Sequence, residues 1–276
     1  MGSDRSAGTS QGGDERAGMS TDIFNILSNS LTSRRVGETI RKIGYRWTER
    51  GARRQRAEIA AWCAAHATDG ASWAKRLDPA LWDEAQSFAA AQKSWADARM
   101  AEAKVKLGGG GAYDFLYFLT RLVRPESIVE TGVAAGFSSR AFLSAIERNG
   151  SGTLYSSDFP YLRLPQPEKY VGLVVEPELR SRWKLYLEGD RANLKVISSE
   201  LKKIDLFHYD SDKSYGGRTF ALNQLSPFFH PETLILFDDI QDNWHFRDYA
   251  AGKALLVIEF GGKWVGVSGG PARLYG

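Results

Sequence analysis

The chain has 276 residues, of which 43% are hydrophobic and 25% charged, with a formal net charge of +3. A single cysteine, Cys63, excludes an intramolecular disulfide framework. No run of 18 apolar residues offers a membrane span, and so small a charge gives no ground for nucleic-acid binding. What remains is an ordinary globular composition with room for one large α/β domain and an extension; with no secretory signal at its start, its expected location is the cytoplasm.

Residues 1–20 are rich in Gly, Ser, Asp and Arg and are expected to be a disordered tail, since they have little apolar surface to bury. Residues 21–106 read as a helical extension. Ile23, Ile26, Leu27 and Leu31 recur at helical spacing, and Trp62, Trp73, Trp82 and Trp95 supply large rings whose usual task is packing against a main domain. Basic residues cluster here, at Arg34, Arg35, Arg41, Lys42, Arg46, Arg50, Arg53, Arg54 and Arg56. They read first as a solvated helical face, and second as a surface for an anionic acceptor or for a homodimer contact. The run Leu107-Gly108-Gly109-Gly110-Gly111 marks the boundary to residues 107–276.

Beyond it, helices and strands alternate. Helices are expected over Tyr113–Val123, Ser138–Arg148, Glu178–Arg182, Thr219–Phe229 and Arg247–Phe260. Strands are expected over Ser127–Thr131, Gly152–Ser156, Trp183–Leu187, Ile204–Tyr209 and Thr233–Phe237, with Lys263–Val267 and Ala272–Tyr275 closing the sheet. This rhythm predicts a doubly wound, mostly parallel sheet covered on both faces, whose ligands bind at the carboxyl ends of the strands. Acids stand at those ends: Asp158, Asp190, Asp210 and the pair Asp238-Asp239, with Glu130 in the first strand. Any one of them alone is as well explained as a cap or turn residue.

The first strand runs into Gly132-Val133-Ala134-Ala135-Gly136 and then Ser138 and Ser139. Gly132 allows a tight reversal, Gly136 allows a ligand or the sheet to approach the backbone, and the serines can satisfy amides at a helix start. The spacing is not the Gly-x-Gly-x-x-Gly of dinucleotide sites, and no Gly-Lys-Ser/Thr of a phosphate loop follows.

Glu130-Thr131-Gly132-Val133-Ala134-Ala135-Gly136-Phe137-Ser138-Ser139 resembles the first motif of class I S-adenosylmethionine-dependent methyltransferases. The likeness continues in order through Tyr155–Asp158, Glu188-Gly189-Asp190, Ile204–Tyr215 and Leu236–Ile240. It is greatest to the methyltransferase-24-like branch, which is similar to macrocin-type sugar O-methyltransferases and cephalosporin-biosynthesis enzymes.

The resemblance implies a seven-stranded Rossmann-like sheet and S-adenosyl-L-methionine as cofactor. Glu130, Gly132, Ala134 and Ser138 would line its methionine part, with Thr131, Gly136 and Ser139 completing the turn. Asp158 would lie by the ribose, Gly189 and Asp190 beside the adenine, and Asp210 at the cofactor as well. It also implies a Mg²⁺ or other divalent-cation site at Asp210, Asp238 and Asp239. Lys213, where catechol-type relatives also carry Lys, reads equally as the base or as an ordinary ion-pair partner of Asp212 or Asp210, and His245 is the rival base. His208, inside a strand, reads as structural; Asp242 and Asn243 read first as helix caps and second as further ligands, and Tyr215 and Trp244 read first as packing residues and second as pocket walls. Catechol-type relatives carry Asp-Asn where Asp238-Asp239 stands, so the expected acceptor is a hydroxylated small molecule of the sugar or glycoside kind. A catechol-type methyltransferase, a hydroxylase-like oxidoreductase and a non-catalytic cofactor-binding module stay open as alternatives.

Overall fold

In a computed structural model, residues 55–105, 107, 108 and 111–276 are described, together with 25, 26, 28, 29, 36–41 and 44. The expected tail at 1–20 lies outside them, as do all the clustered basic residues except Arg41 and Arg56.

From Arg56 the chain forms α1 (Arg56–Ala65), β1 (Ala67–Thr68), α2 (Gly70–Leu77), α3 (Pro79–Ala103), α4 (Tyr113–Val123), β2 (Ser127–Thr131), α5 (Phe137–Asn149), β3 (Thr153–Ser157), β4 (Trp183–Tyr186), α6 (Asp190–Glu200), β5 (Ile204–Tyr209), α7 (Tyr215–Leu225), β6 (Phe229–Phe237), α8 (His245–Ala250), β7 (Leu255–Phe260) and β8 (Lys263–Gly269). Local chemistry sets several ends. Asp78 caps the 25-residue α3 by accepting from Leu81 N at 2.9 Å, with Pro79 pre-shaped for the first turn. α4 stops at Arg124, in the left-handed region, just before Pro125.

The eight strands pair in the order β1-β7-β8-β6-β5-β2-β3-β4, and β8 alone runs against its neighbours β6 and β7. This is the expected doubly wound α/β sheet. The strand order reverses around β2, which lies between β5 and β3, so β2 and β5 form the switch point where such sheets open a crevice.

The two faces of the sheet bury different residues. One packs Ile128, Leu154, Leu206 and Leu236 against α2–α5, with Trp73, Trp82, Phe115 and Phe118 at its centre. The other packs Phe207, Tyr209, Ile235 and Phe237 against α1, α6, α7 and α8. Leu206 and Phe207 thus point oppositely, as the period of a strand requires. The tryptophans of the extension pack as expected: Trp73 Nε1 donates to Leu274 O (2.8 Å), Trp82 meets Phe118 edge-on at 5.7 Å, Trp95 Nε1 donates to Val174 O (2.9 Å), and Trp62 stacks on His66.

The structure departs from the sequence reading in several places. The helix expected over 247–260 stops at Ala250, and Leu255–Phe260 is the edge-side strand of a hairpin. Gly252 breaks the helix, and Gly261 and Gly262, both at positive φ, form the kind of two-residue turn that a twisted hairpin favours. Residues 272–275 form no strand but a short 3-10 turn over Ala272–Leu274. Asp190–Glu200 is a helix the sequence reading left unassigned. The eighth strand, β1, comes from the extension and pairs with β7 (Ala67 opposite Val257, Thr68 opposite Ile258), covering part of an otherwise free sheet edge.

Candidate active site

Gly132 has φ +85°, and a Cβ placed there would lie 2.3 Å from the carbonyl oxygen of Asp210. Only glycine lets the ends of β2 and β5 meet this closely. Gly136, at φ +95°, comes as near to Gly172, whose Cα would lie 2.7 Å from an added Cβ. The turn between them is pinned from three sides. Gly132 N donates to Ser157 O (2.8 Å) and Ala134 N to Asp158 Oδ2 (3.0 Å), while Gly172 N and Val174 N donate to the carbonyls of Ala134 and Ala135 (both 2.9 Å). Asp158 therefore braces the turn, and the 172–174 segment, unremarked in the sequence, is its other wall.

Glu130 is fully buried in β2. Its carboxyl accepts from Ser138 Oγ (2.5 Å), Ser139 Oγ (2.6 Å) and Ser156 Oγ (2.7 Å), tying the start of α5 to the sheet. Burial nevertheless pushes its pKa up to about 7. Thr131 is buried as well, and its Oγ1 has no hydrogen-bond partner. Asp190, at the start of α6, accepts from Ser157 Oγ (2.6 Å) and from Ser211 Oγ. Asn193 joins this corner by donating to Ser157 Oγ, Asp158 O and Tyr186 O at 2.9–3.1 Å. Gly189, at φ +82°, lies under buried Glu38, whose Cγ would be 2.9 Å from an added Cβ. Glu38 in turn pairs with Arg41. The cofactor residues expected from the sequence thus gather at the carboxyl ends of β2, β3 and β4.

On the other side of the switch point, Asp210 follows β5 and Asp238-Asp239 follow β6. Parallel pairing continues past the strands, with Asp210 N donating to Thr131 O (2.9 Å) and Asp238 N to Tyr209 O (3.0 Å). One carboxylate oxygen from each of Asp210, Asp238 and Asp239 lies within 4.8 Å of the others. Lys213 joins them, with its ammonium 3.2 Å from Asp210 Oδ1 and paired with Asp239. Burial and the neighbouring Asp238 carboxyl push the pKa of Asp210 well above the usual carboxylate range. Its Oδ1 is buried without an aligned hydrogen bond. Three converging carboxylate oxygens fit a small hard cation such as Mg²⁺.

Arg218, Gln241 and Lys263 support this cluster without any signal in the sequence, whereas Asn243 and Asp242, candidate ligands from the sequence, stand behind it as supports. Arg218 on α7 is fully buried. It donates through Nη2 to the carbonyls of Asp238 and Asp239 (both 2.9 Å) and through Nη1 to Asn243 Oδ1 (3.1 Å). Asn243 Nδ2 donates to Lys213 O (2.8 Å), so Asn243 positions the lysine's backbone. Gln241 Nε2 donates to Asp239 Oδ1 (3.1 Å), and Lys263, from β8, lies 3.3 Å from that same oxygen. Asp242 pairs with Arg56 at 3.0 Å.

The two candidate bases sit in different places. Lys213 is in the cluster. His245, on α8, is buried among Tyr215 (ring centroids 4.9 Å apart), Phe237 (5.4 Å) and Tyr249 (6.5 Å), and burial together with Arg218 lowers its pKa to about 4. It lines a cleft of about 220 Å³ between α7 and α8, along with Tyr215, Thr219, Asn223, Asp248 and Tyr249. His208 is buried against Phe142 at 5.4 Å, with its pKa likewise lowered to about 4 by desolvation.

Comparison with known proteins bears on the fold that carries this site. Residues 129–240 match the family model of a methyltransferase domain. No curated protein matches the chain. Among solved structures, the chain is similar to a Klebsiella pneumoniae protein assigned as an O-methyltransferase (16% identity, TM-score 0.51, 64% of this chain and 90% of that one). It is also similar to the O-methyltransferase TomG of Streptomyces achromogenes, solved with S-adenosylmethionine and involved in tomaymycin synthesis (13% identity, TM-score 0.50, 65% and 90%). At these identities the likeness establishes the fold. Among the described residues no helix is long and apolar enough to cross a membrane.

Proposed function

We propose that this chain, whose residues 129–240 match the family model of a methyltransferase domain, transfers the methyl group of S-adenosylmethionine to a hydroxyl of a small molecule, a sugar or glycoside with a second oxygen beside the reacting one. The observation that carries the reading is the convergence of Asp210, Asp238, Asp239 and Lys213 at the strand end that touches the Gly132 turn. The two halves of a methyl transfer, donor and activated oxygen, then face one crevice.

The turn Gly132–Gly136 offers a close-approach backbone for the methionine part of the cofactor, and Asp158 and Asp190 would serve its ribose and adenine ends. Asp210, Asp238 and Asp239 would hold a divalent cation. Such an ion would supply the charge that lowers the pKa of an acceptor hydroxyl. Lys213 Nζ, as the neutral amine, would take the hydroxyl proton. The freed oxygen would bond the methyl carbon as the carbon–sulfur bond breaks, and the sulfonium would leave as a neutral thioether. His245, held among aromatic rings outside the cluster, is left as a wall of the neighbouring cleft.

The test is S-adenosylhomocysteine formation with a panel of vicinal-diol sugars, glycosides and catechols, with Mg²⁺ and with the metal chelated. Turnover on a sugar-type acceptor that stops on chelation is expected. Asp239→Asn should reduce turnover by at least about a hundredfold, the scale on which aligned catalytic groups matter, while S-adenosylhomocysteine still binds. Turnover that survives both chelation and Asp239→Asn would remove the cation from the mechanism.

A further inference from the structure

Lys263 opens β8, which runs antiparallel to β6 with Gly266 opposite Phe237. The start of β8 therefore stands beyond the carboxyl end of β6, at the rim that carries the acids. Its ammonium lies 3.3 Å from one oxygen of Asp239 and 3.5 Å from the other. Lys213 holds the same carboxylate from the β5 side. The Lys263 side chain is 55% exposed, whereas that of Asp239 is buried.

Charge decides what this arrangement does. Three carboxylates face two ammoniums, and the buried Arg218 guanidinium sits behind the Asp238 and Asp239 carbonyls. With every group ionised the cluster is balanced. A divalent ion added to it would leave two net positive charges in a partly buried site, which is costly unless a cation departs. Arg218 is locked by hydrogen bonds, and Lys213 is anchored through its backbone to Asn243. Lys263 is the most exposed of the three, carried by a hairpin whose turn is Gly261-Gly262.

The geometry points to Lys263 as an internal counter-ion that a divalent cation displaces from Asp239, so that this side chain sets how tightly the cluster holds its metal. The inference rests on the proposed cation site. Once displaced, the ammonium stays tethered nearby. A unit charge about 6 Å from a divalent ion in water-like surroundings shifts its affinity about tenfold, less as salt is added.

The test is titration of the full, cofactor-free chain with Mn²⁺ alone, with free ion measured by electron paramagnetic resonance. Lys263→Met should bind Mn²⁺ about tenfold more tightly than the native chain at low ionic strength, and the gain should shrink as KCl is raised. Lys263→Arg should bind like the native chain. Lys184→Met removes an equal charge at the far edge of the sheet, where Lys184 pairs with Glu200, and should also bind like the native chain. Equal or weaker binding by Lys263→Met overturns the inference and leaves the cation site standing, as does an equal gain from Lys184→Met. No Mn²⁺ binding by any of the proteins overturns the cation site itself and the inference with it.

Discussion

Glu130 sets two effects against each other, and a single substitution separates them. Three serine hydroxyls donate to its carboxyl, which favours the anion, while complete burial favours the neutral acid; burial wins and lifts the pKa from the usual 4.5 to about 7. Below pH 4.5 the group is protonated in the folded and the unfolded chain alike. Between 4.5 and 7 the unfolded chain releases the proton while the folded chain keeps it, so the native state binds more protons and stability falls as pH rises. Above 7 both states are ionised and the loss is complete. At about 1.4 kcal/mol per pH unit, a shift of this size amounts to about 3 kcal/mol over the window. Glu130→Gln keeps the shape and cannot ionise, so it removes the slope. Urea unfolding of cofactor-free native and Glu130→Gln proteins, at pH values from about 4.5 to about 8, gives the stability difference directly. The native chain should lose about 3 kcal/mol relative to the variant as pH rises through the window, and nothing further above it. A difference that stays flat would mean that the serine hydroxyls hold a carboxylate of ordinary pKa, and the desolvation argument would be wrong.

Two further substitutions test the framework of the site. Gly132→Ala places a Cβ against the Asp210 backbone at a positive φ, a combination that costs at least about 2 kcal/mol and separates β2 from β5; calorimetry should show S-adenosylhomocysteine affinity down by tenfold or more, and unchanged affinity would dissociate the turn from the cofactor. Arg218→Met leaves the carbonyls of Asp238 and Asp239 and the Asn243 side chain without their buried donor, at a cost of about 3 kcal/mol. A melting-temperature drop of roughly 6–12 °C is expected, together with weaker Mn²⁺ binding. A drop in melting temperature with Mn²⁺ binding intact would make Arg218 a packing residue alone.

Much of the site could be read from the sequence because it stands at strand ends. Once Ile128–Thr131, Ile204–Tyr209 and Leu234–Phe237 are recognised as parallel strands, Gly132, Asp210 and Asp238-Asp239 are carried to one rim by topology alone. What escaped depends on contacts that sequence order hides. Arg218 stands just outside the helix expected over Thr219–Phe229, and only the packing of α7 under the β6 turn turns it inward. Lys263 was recognised as the start of a strand, yet its place at the acids follows from the antiparallel pairing of β8 with β6. Strand β7 is hidden because Arg247–Phe260 is long enough and apolar enough to pass for one helix; Gly252 and the Gly261-Gly262 pair are the signals against it. β1, two residues long, carries no periodic pattern at all.

The contact between Gly132 and Asp210 gives the proposed chemistry its economy. Asp210 belongs to both halves of the crevice, since its carbonyl oxygen presses on the turn and its carboxyl enters the acid cluster. A displacement of the turn therefore reaches the cluster through one residue's covalent frame, without an intervening side-chain network. In-line transfer demands that the methyl carbon and the attacking oxygen be placed within a few tenths of an ångström of their productive separation. Two sites on separate flexible loops would each need their own rigid support. Here the β2–β5 hydrogen-bond ladder, continued by Asp210 N to Thr131 O, serves both, which is why a glycine is required where the ladder ends and why its loss should impair donor binding and cation binding together.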